Sequence, residues 1–379
     1  MRHAVVVGGG IGGLAAAVGL HRIGWRVSVL EQAPEFGAIG AGITLWPNAV
    51  RALDALGFGD GVRDLGSARL SARLCAADGR WLTTLDGARI ERLLGGPVLP
   101  VHRAQLHRLL LDALPADALH AGLRVRGIGR DGSVPGLDLP PADLVVGADG
   151  INSRVRAQYW PRAPRPRYAG LTAWRAIADH RRGTDIVMTW GRGAEFGEIP
   201  LVDGRTYWFF AARAPAGERN PDEHAHLLRH LASWHPSITE LIARTPREAV
   251  LRHDIHHLPG RPDSYVDGNV ALLGDAAHAM TPSLGQGGCQ ALEDAAVLVA
   301  ACAAHHDVPT ALARYDAERR RRTRLVARAS YLAGRFGPYL ANPAAVAARD
   351  LGARLLPQRL AIRTFQHVSD WTPPRIAAE

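Results

Sequence analysis

At 379 residues the chain exceeds one simple core, and at about 150 residues per folding unit it divides into two or three. A hydrophobic content of 47 % suits globular packing, and Glu293 and Asp294 interrupt the apolar stretch from Ala291 to Ala304, so no membrane span is expected. The net charge of +9 comes from 45 basic residues, all arginine, but they are scattered and argue against nucleic acid. The one run of four, Arg319 to Arg322, shares its helical stretch with Asp316 and Glu318 and reads as a solvated helix face.

In chain order, the first strand starts so near Met1 that no targeting segment is expected. Ala4-Val5-Val6-Val7 is a buried strand, Gly8-Gly9-Gly10-Ile11-Gly12-Gly13 a tight turn opening an alanine-rich helix, and Arg26 to Leu30 a second strand ending in Glu31. This pattern is a dinucleotide fingerprint. Gly8 permits the turn, Gly10 lets the backbone approach a pyrophosphate, and Gly13 lets the helix pack on the strand, so free N–H groups at the helix start face the phosphates. Glu31 follows Gly13 by 18 residues, close to the separation of about 20 at which a carboxylate grips the adenosine ribose.

Phe36 to Asn48, dense in glycine and alanine, leads into a helix over Ala49 to Leu56 and lets backbone run close to a bulky planar group. Leu70 to Leu94 reads as short strands around Asp78-Gly79-Arg80. Val101 to Leu106 opens an amphipathic helix, with Leu106, Leu109, Leu110 and Ala113 on its apolar face. Arg103, near its start, serves either an anionic or carbonyl ligand or a surface salt bridge. Asp143 to Arg156 is a buried strand that ends in Asp149-Gly150 before a helical turn. Asp149 therefore stands at a strand's carboxyl end, where open α/β sheets bind ligands.

Tyr168 to Ala212 changes character. Leu171 to Ile177, Ile186 to Trp190 and Thr206 to Ala211 alternate and are rich in Trp, Tyr and Phe, with a turn at Asp203-Gly204, as in a β-rich insertion. A helix over Asp222 to Trp234 follows, then His253-Asp254-Ile255-His256-His257, where period-two alternation makes solvent-facing imidazoles of the histidines rather than a metal site. Gly268 to His278 is another buried strand, ending in Gly274-Asp275. Met280 to Cys289 is a glycine loop that opens a long alanine-rich helix, whose N-terminus carries about half a positive charge, enough to favour a reduced, anionic flavin ring. The cysteines, Cys75, Cys289 and Cys302, are odd in number and far apart, which fits reduced thiols in a cytoplasm.

In this order and at these separations, the three motifs resemble the class A flavoprotein monooxygenases, the family of para-hydroxybenzoate hydroxylase, from Met1 to about Arg328. Gly285-Gln286-Gly287-Gly288-Cys289 resembles the branch of bacterial urate hydroxylases, zeaxanthin epoxidases and salicylate hydroxylase-like enzymes, with Cys289 where many relatives have asparagine. The resemblance implies an α/β fold: a Rossmann-like three-layer FAD-binding domain over 1–69, 99–167 and 263–328, and an inserted, mostly antiparallel β-sheet substrate domain over 70–98 and 168–262. A C-terminal helical segment, 329–379, packs on the FAD domain or a partner subunit, or caps the substrate entrance through 342–368.

It also implies non-covalent FAD and NADH or NADPH as co-substrate. Gly8, Gly10, Gly12, Gly13, Glu31 and Gln32 hold the adenosine diphosphate half, and Thr44 and Val125 give backbone contacts. Arg103 meets the cofactor, Asp149 and Gly150 serve both FAD and the donor, Asp275 binds the ribityl chain, and Pro282, Gly285, Gln286, Gly287 and Gly288 lie beside the ring. Such enzymes reduce FAD, add oxygen as a flavin hydroperoxide, and hydroxylate or epoxidise an electron-rich aromatic, heteroaromatic or polyene substrate without a metal. Tyr207 and Phe209, on one face of a strand, are expected against that substrate. Glu195 replaces the substrate-binding arginine of the urate enzymes and is expected to act as acceptor or base. That disfavours urate and favours a neutral or cationic ring, unless Arg175 on the neighbouring strand enters the pocket. A flavin halogenase needs a lysine the chain lacks. An oxidase or dehydrogenase of the same fold, or a redox-silent flavin scaffold, differs in stoichiometry. Monomer and homodimer are both compatible with the sequence.

Overall fold

The computed structural model describes residues 1–37, 41–66, 69–180 and 183–376, so the middle of the small-residue loop, 38–40, lies outside the described residues. His3–Val7 is buried along its whole length, as a strand must be when a parallel sheet is covered on both faces. It pairs in parallel with Arg26–Leu30 on one side and Leu144–Gly147 on the other. Val270–Leu272 extends the sheet beyond Leu144–Gly147 and Leu119–His120 beyond Arg26–Leu30, with Val266–Asp267 antiparallel at the edge. The registers Val7 to Leu30, Val7 to Gly147 and Gly147 to Leu272 bring four carboxyl ends level. Gly8, Glu31, Asp149 and Asp275 thus emerge along one edge, where an open sheet binds its ligand.

The Ile11–Arg22 and Gly287–Ala304 helices pack together beside this sheet. By length and composition alone the second is apolar enough to cross a membrane, Glu293 and Asp294 notwithstanding. It is 78 % buried within the fold and is its core helix.

A second sheet runs in the order Leu251–His257, Arg167–Ala178, Thr206–Arg213, Ala194–Pro200, Ile186–Trp190, Ala72–Ala76, Trp81–Leu85, and is antiparallel except between Ile186–Trp190 and Ala72–Ala76. Alternation along its strands sorts the side chains. Trp174, Phe196, Trp208 and Phe210 point to the face buried by the Glu223–His230 and Pro236–Ala243 helices. Phe196 stacks on Trp208 with ring centroids 5.6 Å apart, and Trp174 on Phe210 at 5.5 Å. Arg175, Glu195, Tyr207 and Phe209 lie on the opposite face, which Tyr207 joins to the first layer by packing against Ala41.

Local readings change in four places. Gly87–Leu94 is a helix rather than a strand: Asp86 accepts the Arg89 N–H as its cap, and Gly95 ends it at φ +70°. Leu99–His102 is a strand paired with Gly42–Leu45, so the next helix starts at Arg103 rather than Val101. The helix capped by Asp222 ends at His230. Ala194–Pro200, interrupted by Gly197, is a strand without an apolar alternation that reveals it.

The C-terminal segment leans on both layers. Ser330 Oγ donates to the Thr281 carbonyl at 2.6 Å and accepts the Leu284 N–H at 3.3 Å, bracing the glycine loop. Gly193 N–H donates to Leu340 O at 2.7 Å, and Arg349 donates to the carbonyls of Gly191 and Gly337, both at 3.1 Å, which clamps a turn of the second sheet.

Candidate active site

The glycine turn is built by close backbone crossing. Gly8 has φ +110°, and a Cβ there would stand 2.4 Å from Ala148 O; one on Gly13 would stand 2.1 Å from Gly8 O. Gly12 is packed against Leu273 and Ala291. Gly10, Gly150 and Gly287 differ, because beyond their immediate chain neighbours and their own helix backbone no described residue comes within 4 Å of where their Cβ would be. The helices starting at Ile11 and Gly287 have no side-chain cap, so their first N–H groups are available to an anion. The Glu31 carboxylate accepts the N–H groups of Gly9 and Ala33, both at 2.8 Å, and is fixed beside the turn with Gln32 exposed next to it. Leu123 N–H donates to Glu31 O at 2.8 Å. That contact brings Val125 alongside, whose own backbone makes no hydrogen bond among the described residues. His107 Nε2 donates to Gly9 O at 2.7 Å and steadies the turn.

At the next strand end, Asp149 Oδ2 accepts the N–H groups of Arg154 at 2.7 Å and Val155 at 3.2 Å, while Oδ1 is buried with no partner. A buried acceptor without a donor is costly unless a ligand supplies one. Arg156 ties this motif to the following one, donating to Ile151 O at 2.6 Å and to Ala276 O at 2.7 Å. Asp275 begins the short Asp275–His278 helix and is exposed. These open glycines, uncapped helix starts and the unfilled Asp149 oxygen fit a dinucleotide with an attached ring system.

Behind Asp275 lies a buried ionic network that sequence reading missed. Asp294 Oδ2 accepts Gly274 N–H at 2.9 Å and His278 Nε2 at 2.6 Å, and Oδ1 accepts Arg319 Nε at 2.6 Å. Glu293 accepts from Arg319 and Arg322, each at 2.5 Å, and from Asn48 Nδ2 at 2.6 Å; Asn48 Nδ2 also reaches Gln286 Oε1 at 2.9 Å. Burial alone would raise the Asp294 pKa, but His278 and Arg319 hold it down to about 2. Burial would likewise lower Arg319, and Asp294 and Glu293 together raise it instead. Arg319 is therefore no solvated helix face: it is wholly buried, and Arg322 is half-buried beside it. The available signal was the acid pair in an otherwise apolar helix, because buried carboxylates require a cation. The network fixes Gly274, held at φ +62°, and Gln286, the two shoulders of the glycine loop.

Thr44 lies on the Gly42–Leu45 strand, its carbonyl 3.7 Å from the Cys289 thiol, which burial pushes up to about 12 and so keeps protonated. Pro282 and Gly285 are exposed beside it, and Gly288 lies against Ile43.

Facing these groups is the open side of the second sheet. The Tyr207 ring lies on the Gly42 backbone, where a Cβ would come within 2.5 Å of it, and Phe209 covers Gly197. Burial raises the Tyr207 pKa, with Arg175 and Arg103 opposing. Arg103 is solvent-accessible. Desolvation by the surrounding protein lowers its pKa, Asp275 and Tyr207 oppose that shift, and Arg175 adds to it. Arg103 is thus in electrostatic reach of Asp275 on one wall and of Arg175 and Tyr207 on the other. Arg175 is half-buried, and its side chain makes no hydrogen bond or ion pair with another described residue. Glu195, also buried, accepts a 2.6 Å hydrogen bond from Tyr339 Oη. Burial raises its pKa to about 7 against the hydrogen bonds from Tyr339 and Trp190. Its carboxyl group is therefore engaged by the C-terminal segment.

Comparison with known proteins gives the same picture. Residues 139–330 match the FAD binding domain family, and residues 6–51 an NAD(P)-binding Rossmann-like domain. The chain is 39 % identical over 347 residues to the Aurachin C monooxygenase/isomerase of Stigmatella aurantiaca, covering 88 % of this chain and 89 % of that one. It is 37 % identical over 341 residues to the FAD-dependent urate hydroxylase of Klebsiella oxytoca, covering 85 % and 86 %. The crystal structure of Klebsiella pneumoniae HpxO complexed with FAD and uric acid superposes with a TM-score of 0.89 at 31 % identity, over 97 % of this chain and 96 % of that one.

Proposed function

The chain belongs to the class A flavoprotein monooxygenases, and from that premise we propose that it hydroxylates an electron-rich heteroaromatic ring bearing an acidic N–H or hydroxyl group, with Arg175 holding the deprotonated oxygen. Bound FAD, with the nicotinamide donor as reductant and O2 as the source of the oxygen atom, would supply the oxygenation chemistry. The residues of the chain bind, orient and enclose. The helix start at Ile11 takes the pyrophosphate across Gly8, Gly10, Gly12 and Gly13; Glu31 and Gln32 take the ribose, and the Val125 backbone flanks the adenine. Asp149 and Gly150 would serve both FAD and the donor, and Asp275 would bind the ribityl chain. Asp275 and Arg103 stand at the inner end, and Thr44, Pro282 and Gly285 to Gly288 border the ring. We assign the segments 1–69, 99–167 and 263–328 to the FAD-binding domain and 70–98 and 168–262 to the substrate domain.

Tyr207 and Phe209 offer the substrate an apolar wall with one hydroxyl. Two arginines nearby make a cationic substrate costly, so the cationic part of the sequence expectation is dropped. Glu195 is read here as a support for Tyr339 rather than as a base toward substrate. Urate stays disfavoured, because the arginine expected at that position is absent. Buried thiols at Cys75, Cys289 and Cys302 fit a cytoplasmic enzyme, acting as a monomer or homodimer.

One arrangement carries the proposal: the Arg175 side chain, with no hydrogen bond or ion pair among the described residues, on the sheet face in reach of Tyr207 and of the Arg103–Asp275 pair. The test is Arg175→Met against a panel of heteroaromatics, measuring donor and oxygen consumption with product by mass spectrometry. A lost charged hydrogen bond lowers kcat/KM by about 10- to 150-fold for acidic rings, with FAD content unchanged. Unaltered kcat/KM, or best turnover of a cationic ring, sinks the assignment.

A further inference from the structure

Exposed large apolar side chains are unevenly placed. Of the eleven among the described residues, eight lie between 325 and 360: Leu325, Tyr331, Leu332, Phe336, Leu351, Leu355, Leu356 and Leu360. The last four are the densest group, with Leu355 72 % and Leu351 55 % exposed on consecutive turns of the Pro343–Leu355 helix. Leu356 and Leu360 continue the group into the Gln358–Ala361 helix. Arg349 donates to the carbonyl of Gly337, next to Phe336, which is 63 % exposed; this brings the end of the Val308–Phe336 helix to the same region.

Along this stretch of chain the charge beside the leucines has one sign. Between residues 319 and 369 the only acid is Asp350, and it is buried against Arg349 at 2.7 Å. Arg354, Arg359 and Arg363 are exposed beside the leucines, and Arg324, Arg328 and Arg335 along the preceding helix. Clustered apolar side chains at a monomer's surface mark a contact, and a rim of cations alone selects an anionic one. Leucines framed by arginines on helices lying along a surface are the pattern by which a protein rests in the headgroup region of a bilayer without crossing it.

We propose that the 343–361 helices dock the enzyme on the surface of an anionic phospholipid bilayer. A second copy is a poorer occupant: a two-fold contact sets the same patch against itself, which brings Arg354, Arg359 and Arg363 of one copy against those of the other. Leucines enter the acyl boundary while the arginines meet phosphate groups, so attachment is peripheral, reversible and weakened by salt.

The test uses the full-length, FAD-loaded protein and flotation with vesicles of phosphatidylcholine alone or with about one-third phosphatidylglycerol. At low salt the protein floats with the anionic vesicles, stays behind with the neutral ones, and is released at high salt. Leu351→Ser with Leu355→Ser lowers partitioning at least about tenfold, and Arg354→Gln about fivefold, while flavin absorbance and turnover of a dissolved substrate stay at wild-type levels. Failure to float with anionic vesicles overturns the proposal, as does flotation indifferent to the leucines. A concentration-dependent dimer that the serine pair dissociates also overturns it, and assigns the face to a second copy.

Discussion

The two faces of the second sheet are built from the same strands and differ in everything else. On the closed face, Trp174, Phe196, Trp208 and Phe210 fill the space beneath two helices, and the polar atom of Trp208 is satisfied by Thr245 Oγ1 at 2.9 Å. On the open face, one residue along, stand a cation whose side chain has no hydrogen bond or ion pair among the described residues, a tyrosine, and a carboxyl group whose pKa burial raises to about 7. Side chains that alternate at 180° let one set of hydrogen-bonded strands serve as core and as cleft wall at once. The closed face should answer to volume and the open face to charge. The largest effect therefore belongs to Trp208→Ala, which removes a fully buried ring and its stacking on Phe196. It should destabilise by about 3–5 kcal/mol in urea unfolding, with no change in FAD spectrum or KM of the molecules that remain folded. A comparable loss from Arg175→Met would break the comparison.

Next in size is Glu195→Gln, which sharpens it. In the folded chain the carboxyl titrates at about 7 instead of the ordinary 4.5, so between those values the native state keeps a proton that the unfolded chain has released. The Glu195 contribution to stability is thus full below pH 4.5, declines as pH rises to 7, and is constant above. The shift is worth about 3 kcal/mol. Glutamine keeps an acceptor for Tyr339 without ionising. The variant should match wild type near pH 4.5 and exceed it by up to about 3 kcal/mol at pH 8, read from urea midpoints at both. An identical pH dependence of the two proteins would mean that Glu195 is solvated and faces the cleft.

The strand-end motifs were legible because their demands are local. A turn that brings a Cβ of Gly13 within 2.1 Å of Gly8 O admits one residue type, and the sequence displays it. The consecutive aromatics of Thr206–Arg213 were likewise a local strand signal. What stayed hidden depends on partners far along the chain. Arg319 meets Glu293 across 26 residues and a helix–helix contact, so its run of arginines looked like solvent-facing charge. The bond of Tyr339 to Glu195 was hidden for the same reason, since Tyr339 comes from a segment 144 residues away. Gly87–Leu94 was misread although Asp86 and Gly95 mark both its ends, since its apolar residues also suit a strand beside Asp78-Gly79.

The smallest structural effect, and the finest test of the two-faced sheet, comes from Tyr207→Phe. The ring is 8 % exposed and packed on Gly42, Ile199 and Leu201, which phenylalanine preserves. Its hydroxyl makes no hydrogen bond with a described residue, so its removal should alter stability by less than about 0.5 kcal/mol. If that hydroxyl serves the substrate, kcat/KM should fall by about 2- to 12-fold, the value of one neutral hydrogen bond. Combination with Arg175→Met then separates two geometries. Contact of both residues with one substrate oxygen makes the double variant lose less than the product of the single effects, whereas contact with different atoms makes the effects multiply. A melting temperature lowered as far as a core truncation lowers it, with kcat/KM intact, would move Tyr207 to the packing side and leave Arg175 as the open face's single functional group.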